Sequence, residues 1–99
     1  MTTNAAPIPQ WAGGPARKAL AMVRAHGARH ALPCCLCREA IDYGLRYPSP
    51  WSCSVQHILS RARYPALTFD PANMAPAHLI CNQRQGDRAA PDLGVISEW

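Results

Sequence analysis

The chain has 99 residues, ten Lys+Arg against six Asp+Glu, and a net charge of +4. That length makes one domain with a modest core, for which a metal staple would be a useful support. The positive balance suits a polyanionic partner. No apolar run approaches the roughly 20 residues of a membrane span. The start Met1-Thr2-Thr3-Asn4 lacks the basic region and apolar block of a secretory signal, so a cytoplasmic protein without a membrane partner is expected.

Ten prolines and six glycines point to a loop-rich chain. Five cysteines are an odd count. That fits metal ligands plus spares better than a disulfide framework.

Residues 1–14 are rich in Pro, Gly and Ala and read equally as an extended arm that Trp11 can pin or as a disordered segment. Residues 15–26 read as a helix. Pro15 sits in the first turn, where proline is tolerated. Leu20 and Val23 share a face with Ala16 and Ala19, and Gly27 reads as the stop. Cys34-Cys35-Leu36-Cys37 is a tight turn, and residues 42–51 are irregular. Residues 52–59 read as a strand, 61–71 as a loop, and 73–75 as a short second strand. Pro76 reads as the opening of a helix that ends at Gly86. Beyond Asp87 the tail is polar apart from Leu93, Val95, Ile96 and Trp99. The expected organisation is an arm over 1–14, a domain over 15–90 and a tail over 91–99.

Two constellations carry chemistry. Cys34-x-x-Cys37 has the spacing of a zinc knuckle, and His78-x-x-Cys81 supplies a second pair. Together they can close a tetrahedral Cys3His site, a donor set typical of structural zinc. Thiolate ligands bind zinc tightly enough to drive folding of a small domain. Cys35 competes with Cys34 on poorer spacing, and Cys53 reads as a buried spare.

His57 lies between the two pairs. A staple joining them would bring the strand carrying His57 against the helix carrying Asn82. Asn82 follows Cys81 and so points about 100° away around the helix. It can then face a site separate from the zinc. A neutral imidazole suits the activation of water. An amide oxygen suits a hard divalent ion such as Mg2+. Asn73 can use its amide to fix the loop between the strands and so orient His57.

Cys34-x-x-Cys37, Val55-Gln56-His57-Ile58, Asp70-Pro71-Ala72-Asn73 and Pro76-Ala77-His78-x-x-Cys81-Asn82, followed by Arg84 and Gly86, resemble the HNH endonuclease family. They are most similar to its small bacteriophage and prophage members. The resemblance covers about residues 33–88. It implies an α+β chain with a ββα-metal (His-Me finger) fold, stapled by zinc, here with an additional N-terminal helix. By position, His57 resembles the general base and Asn73 the residue that positions it. Asn82 resembles the last catalytic position, a ligand of the catalytic divalent ion. Cys34, Cys37, His78 and Cys81 match the structural zinc positions.

The residue before the catalytic histidine is usually Asp, Glu or His and binds that ion. Here it is Gln56, whose amide oxygen carries no charge. Substrate phosphates or Asp70 would have to compensate. Arg61, Arg63, Arg84 and Arg88 are the cationic residues nearest the motif and the expected phosphate contacts.

The expected activity is metal-dependent hydrolysis of double-stranded DNA. The resemblance sets it in phage DNA processing or packaging, with terminase as a partner. The alternative is a DNA-binding or assembly module that keeps the zinc fold without strong catalysis.

Overall fold

The computed structural model describes residues 7–86. Helix α1 (Gly13–His30) is followed by strand β1 (Cys53–His57). Two short 3-10 turns, Pro65–Leu67 and Pro71–Asn73, lead into strand β2 (Met74–His78). Helix α2 (Leu79–Gln85) follows directly. The strands pair antiparallel with Cys53 opposite His78 and His57 opposite Met74. One end of this ribbon therefore carries the second zinc pair and the other carries His57. Four residue steps of strand separate the ends, about 13 Å at the usual rise.

Helix α1 packs on both strands, Ala19 and Val23 entering the shared core, and Gly27 is buried as well. It runs longer than residues 15–26 at both ends. Gly13 and Gly14 extend the first turn, where orphan N–H groups leave Pro15 harmless. Gly27 is an interior residue and not the stop. A side chain there would meet the Tyr43 ring, with a Cβ placed 2.5 Å from Tyr43 Oη. The Tyr43 hydroxyl donates to Leu32 O at 2.6 Å, which fixes the ring against the helix. The helix ends instead at Ala31, which is left-handed at φ 49°. The Leu32 N–H closes back on Gly27 O.

The apolar core is small. Val23, Ile41, Val55 and Met74 are its larger aliphatic members, and Ala19, Ala75, Ala77, Cys34 and Cys53 fill the remainder. Cys53 is buried as a spare, as its sequence context suggests.

Pro76 does not open a helix. It lies inside β2 opposite Val55, and its carbonyl accepts from Cys35 N at 3.0 Å. In a two-stranded ribbon each strand is an edge, and an edge tolerates a residue without an N–H. The second strand accordingly runs to His78 and the helix starts three residues later than the proline suggests. Side-chain capping of α2 is absent. Its first N–H groups are met by chain preceding β1, Leu79 N donating to Ser52 O and Ile80 N to Pro50 O, both at 2.8 Å. The first strand is shorter than residues 52–59 because Ile58 and Leu59 turn out of the ladder to bond with Asn73.

No helix among the described residues is long and apolar enough to cross a membrane. The tail residues Leu93, Val95, Ile96 and Trp99 lie outside the described residues.

Gly27→Ala tests the close approach of Tyr43. Overpacking costs about 1–3 kcal/mol, while alanine gains about 1 kcal/mol over glycine in a helix. The expected result is a lower Tm by circular dichroism. An unchanged or raised Tm would show that the ring moves freely.

Candidate functional site

The ligand atoms of Cys34, Cys37, His78 and Cys81 all lie within 4.8 Å of one another. They come from the knuckle turn, the last residue of β2 and the first turn of α2. His78 Nδ1 is 3.3 Å from Cys37 Sγ and 3.8 Å from Cys81 Sγ. A tetrahedral zinc with ordinary bond lengths requires about 3.6 Å between nitrogen and sulfur.

The imidazole is oriented for such an ion. His78 Nε2 lies 3.0 Å from Ala40 O. A carbonyl only accepts, so Nε2 carries the proton and Nδ1 keeps its lone pair toward the sulfurs. Trp51 covers the histidine edge-on, with ring centroids 5.4 Å apart.

The thiols are differentiated by their surroundings. Burial pushes the Cys34 thiol up, but the backbone N–H groups of Cys37, His78 and Leu36 outweigh it and bring its pKa down to about 7. His78 N donates to Cys34 Sγ at 3.3 Å, so the strand end is tied to the knuckle through the sulfur itself. Cys81 is raised to about 12, by burial and then by its sulfur neighbours. A cation among them would reverse that repulsion, because a coordinating thiol deprotonates. The donor set, its spacing and the Ala40 contact all fit zinc. Cys35 lies outside the cluster, buried enough that its pKa rises to about 12.

A second site lies at the opposite end of the ribbon. A cavity of about 450 Å3 is lined by Trp11, Gln56, His57, Arg61, Asn82 and Gly86, among others. His57 is held by a backbone contact, Nε2 to Thr68 O at 2.8 Å. The carbonyl again fixes the tautomer, so Nδ1 is the basic nitrogen. Trp11 meets the imidazole edge-on at 4.7 Å and stacks on Phe69 at 5.1 Å. Burial depresses the His57 pKa, and Arg61 adds to that, against the opposing contact with Thr68 O. The ring is therefore neutral at neutral pH.

Asn73 is buried and fully committed. Its Oδ1 accepts from Leu59 N at 2.7 Å, and its Nδ2 donates to Leu59 O and Leu67 O at 3.1 and 3.2 Å. It clamps both ends of the excursion between the strands, and that excursion delivers Thr68 O to His57. Stranding the Leu59 N–H alone would cost about 1–3 kcal/mol.

Asn82 Nδ2 donates to Val55 O at 2.7 Å and to Ser54 Oγ at 3.2 Å, tying α2 to β1. Because Val55 O only accepts, the nitrogen end must face the strand and Oδ1 is the free-standing end. Gln56 is arranged alike, its Nε2 donating to His57 O at 3.0 Å.

Of the four arginines, Arg61 reaches the cavity. Arg63 is exposed on the same loop, Arg84 is exposed in the last turn of α2, and Arg88 lies outside the described residues. Asp70 does not join the cavity. It caps the second 3-10 turn by accepting from Ala72 N at 3.0 Å. Sequence reasoning did not find the Trp11 ring against His57, or the carbonyls of Thr68 and Ala40. The two carbonyls have no residue-type signal.

No family model, curated protein or solved structure matches this chain. Its function must be read from the geometry of the two sites.

Purified protein is expected to carry one zinc per chain by elemental analysis. Cys34→Ser and Cys81→Ser should lose it and unfold, while Cys35→Ala and Cys53→Ala should retain it. Full zinc content in Cys81→Ser would remove Cys81 from the ligand set.

Proposed function

We propose that the chain is a DNA phosphodiester hydrolase of the HNH type, with His57 as its general base. The observation that carries this reading is the His57 Nε2 contact with Thr68 O inside a cavity that also holds Arg61 and Asn82. That contact leaves Nδ1 basic and aimed by a rigid loop, which is what water activation requires.

In the proposed reaction Nδ1 takes a proton from a water molecule. The water oxygen bonds to phosphorus in line with the departing O3′, and the P–O3′ bond breaks. The leaving O3′ takes a proton from solvent water, the His57 imidazolium returns its proton to solvent, and the products are a 5′-phosphate and a 3′-hydroxyl. Arg61 offers its guanidinium to the phosphate oxygens, where charge builds as the bond order changes. Asn73 does not touch the substrate. It keeps the 59–67 excursion closed, and so keeps Thr68 O under His57. Trp11 shields the imidazole from bulk water and limits its tilt.

A divalent ion bound here would stabilise the negative charge on the leaving oxygen. Gln56 and Asn82, which line the cavity, would hold it through neutral amide oxygens. No carboxylate among the described residues lines the cavity. These donors therefore do not by themselves form a resident cation site.

The net charge of +4 and the exposed Arg63 and Arg84 favour double-stranded DNA as the substrate. The family resemblance supplies phage DNA processing as the setting, with terminase as the partner.

One observation favours a second reading. The carboxylate-free cavity also suits a zinc-stapled DNA-binding or assembly module in which catalysis is weak.

Nicking of supercoiled plasmid with Mg2+ or Mn2+ tests the pair. The expected result is ion-dependent nicking that falls by about 10²–10⁴-fold in His57→Ala. A base with a depressed pKa stays unprotonated to lower pH, so the acid limb of kcat/KM should have its midpoint below the 6.5 of an ordinary imidazole. No nicking by the wild type, together with activity in Gln56→Asp, would select the binding module. No nicking by either would overturn the hydrolase.

A further inference from the structure

His26 and His30 belong to neither the Cys3His cluster nor the cavity at His57. They stand at i and i+4 in α1 and so share one side of the helix. Val23 and Gly27 mark the buried side, whereas His26 is half-buried and His30 is exposed.

The two ring centroids are 4.6 Å apart, with the planes tilted by 55°. A zinc ion bound by one nitrogen of each ring would lie about 3.2 Å from each ring centre. Ring centres at that radius are about 4.5 Å apart for a right-angled pair of ligands and about 5.2 Å apart for a tetrahedral pair. The observed separation falls inside that range. The rings already stand where a shared ion would put them.

Two histidines four residues apart on one helix face have the spacing of helical zinc ligands. In the hydrolytic version of that pattern, a glutamate directly after the first histidine is the general base. Here that position is Gly27. The pair can therefore hold an ion without supplying a base beside it.

The donor set selects the class of ion. Neutral imidazoles bind zinc, copper and nickel through nitrogen lone pairs and need no carboxylate. Hard ions such as Mg2+ prefer oxygen and do not fit. The Arg29 charge reaches His26 and opposes any cation. Against it, the pair sits in the last turns of α1, where the helix carries its negative end.

We propose that His26 and His30 form a second transition-metal site, a two-imidazole chelate that takes up Zn2+ reversibly, with water in the remaining positions. Two neutral ligands beside an arginine hold the ion more weakly than three thiolates and an imidazole. The second zinc therefore exchanges, and desalting removes it, while the Cys3His cluster keeps its own. When bound, it braces the last turn of α1 just before the chain enters the Cys34–Cys37 knuckle. The site stands independently of the nuclease reading.

The test adds Zn2+ to the full-length protein with its Cys3His cluster already loaded, and follows the ring signals of the four histidines by NMR. His26 and His30 should shift together and saturate together, with His57 and His78 unmoved. Mg2+ at the same concentrations should shift neither ring. Equilibrium dialysis at saturating Zn2+ should count two ions per chain in the wild type, and one in His26→Gln and in His30→Gln. Glutamine is a good helix former, so both variants should keep the wild-type circular dichroism. A wild type that stops at one zinc would overturn the proposal. So would a shift of one ring alone, or a second zinc that survives either substitution.

Discussion

The cluster of Cys34, Cys37, His78 and Cys81 is the constraint on which the rest of the molecule depends. Its members come from segments more than forty residues apart and meet where β2 ends and α2 begins. The aliphatic core around Val23, Ile41, Val55 and Met74 is too small to fix that junction alone. A tetrahedral ion there would join the knuckle, the ribbon and α2 in one contact. The backbone repeats the arrangement, with Cys35 N on Pro76 O and His78 N on Cys34 Sγ. Once the junction is set, α2 can only lie along β1, and Asn82 reaches Val55 O.

The ribbon then separates two tasks. At the Cys53–His78 end its residues serve the Cys3His cluster. At the His57–Met74 end they serve a cavity open to a ligand. Asn73 makes the second end rigid by bonding to Leu59 and Leu67 at once. The N-terminal segment contributes as well, since Trp11 rests on Phe69 and against His57. The imidazole is thus bounded by an indole from the N-terminal segment and by a carbonyl and an arginine from the excursion between the strands.

Much of this was legible in the sequence because it depends on residue type at short spacing. Two cysteine or histidine pairs with a three-residue step announce a metal cluster, and the structure brings all four donors together. The clamp role of Asn73 was readable from its place beside the second strand.

Other features depended on tertiary context. Pro76 looked like a helix start because proline is common in first turns, yet an edge strand accepts it equally. Gly27 looked like a helix stop, yet it is there to admit the Tyr43 ring. The carbonyls that set the tautomers of His57 and His78 belong to Thr68 and Ala40, and any residue could supply them.

The central claim is that His57 activates water against a DNA phosphodiester. Single-turnover cleavage in 18O-labelled water tests it most directly. The account predicts one labelled oxygen in a 5′-phosphate and an unlabelled 3′-hydroxyl, with no product from His57→Ala. A 3′-phosphate, an unlabelled 5′-phosphate or an intact strand would contradict it.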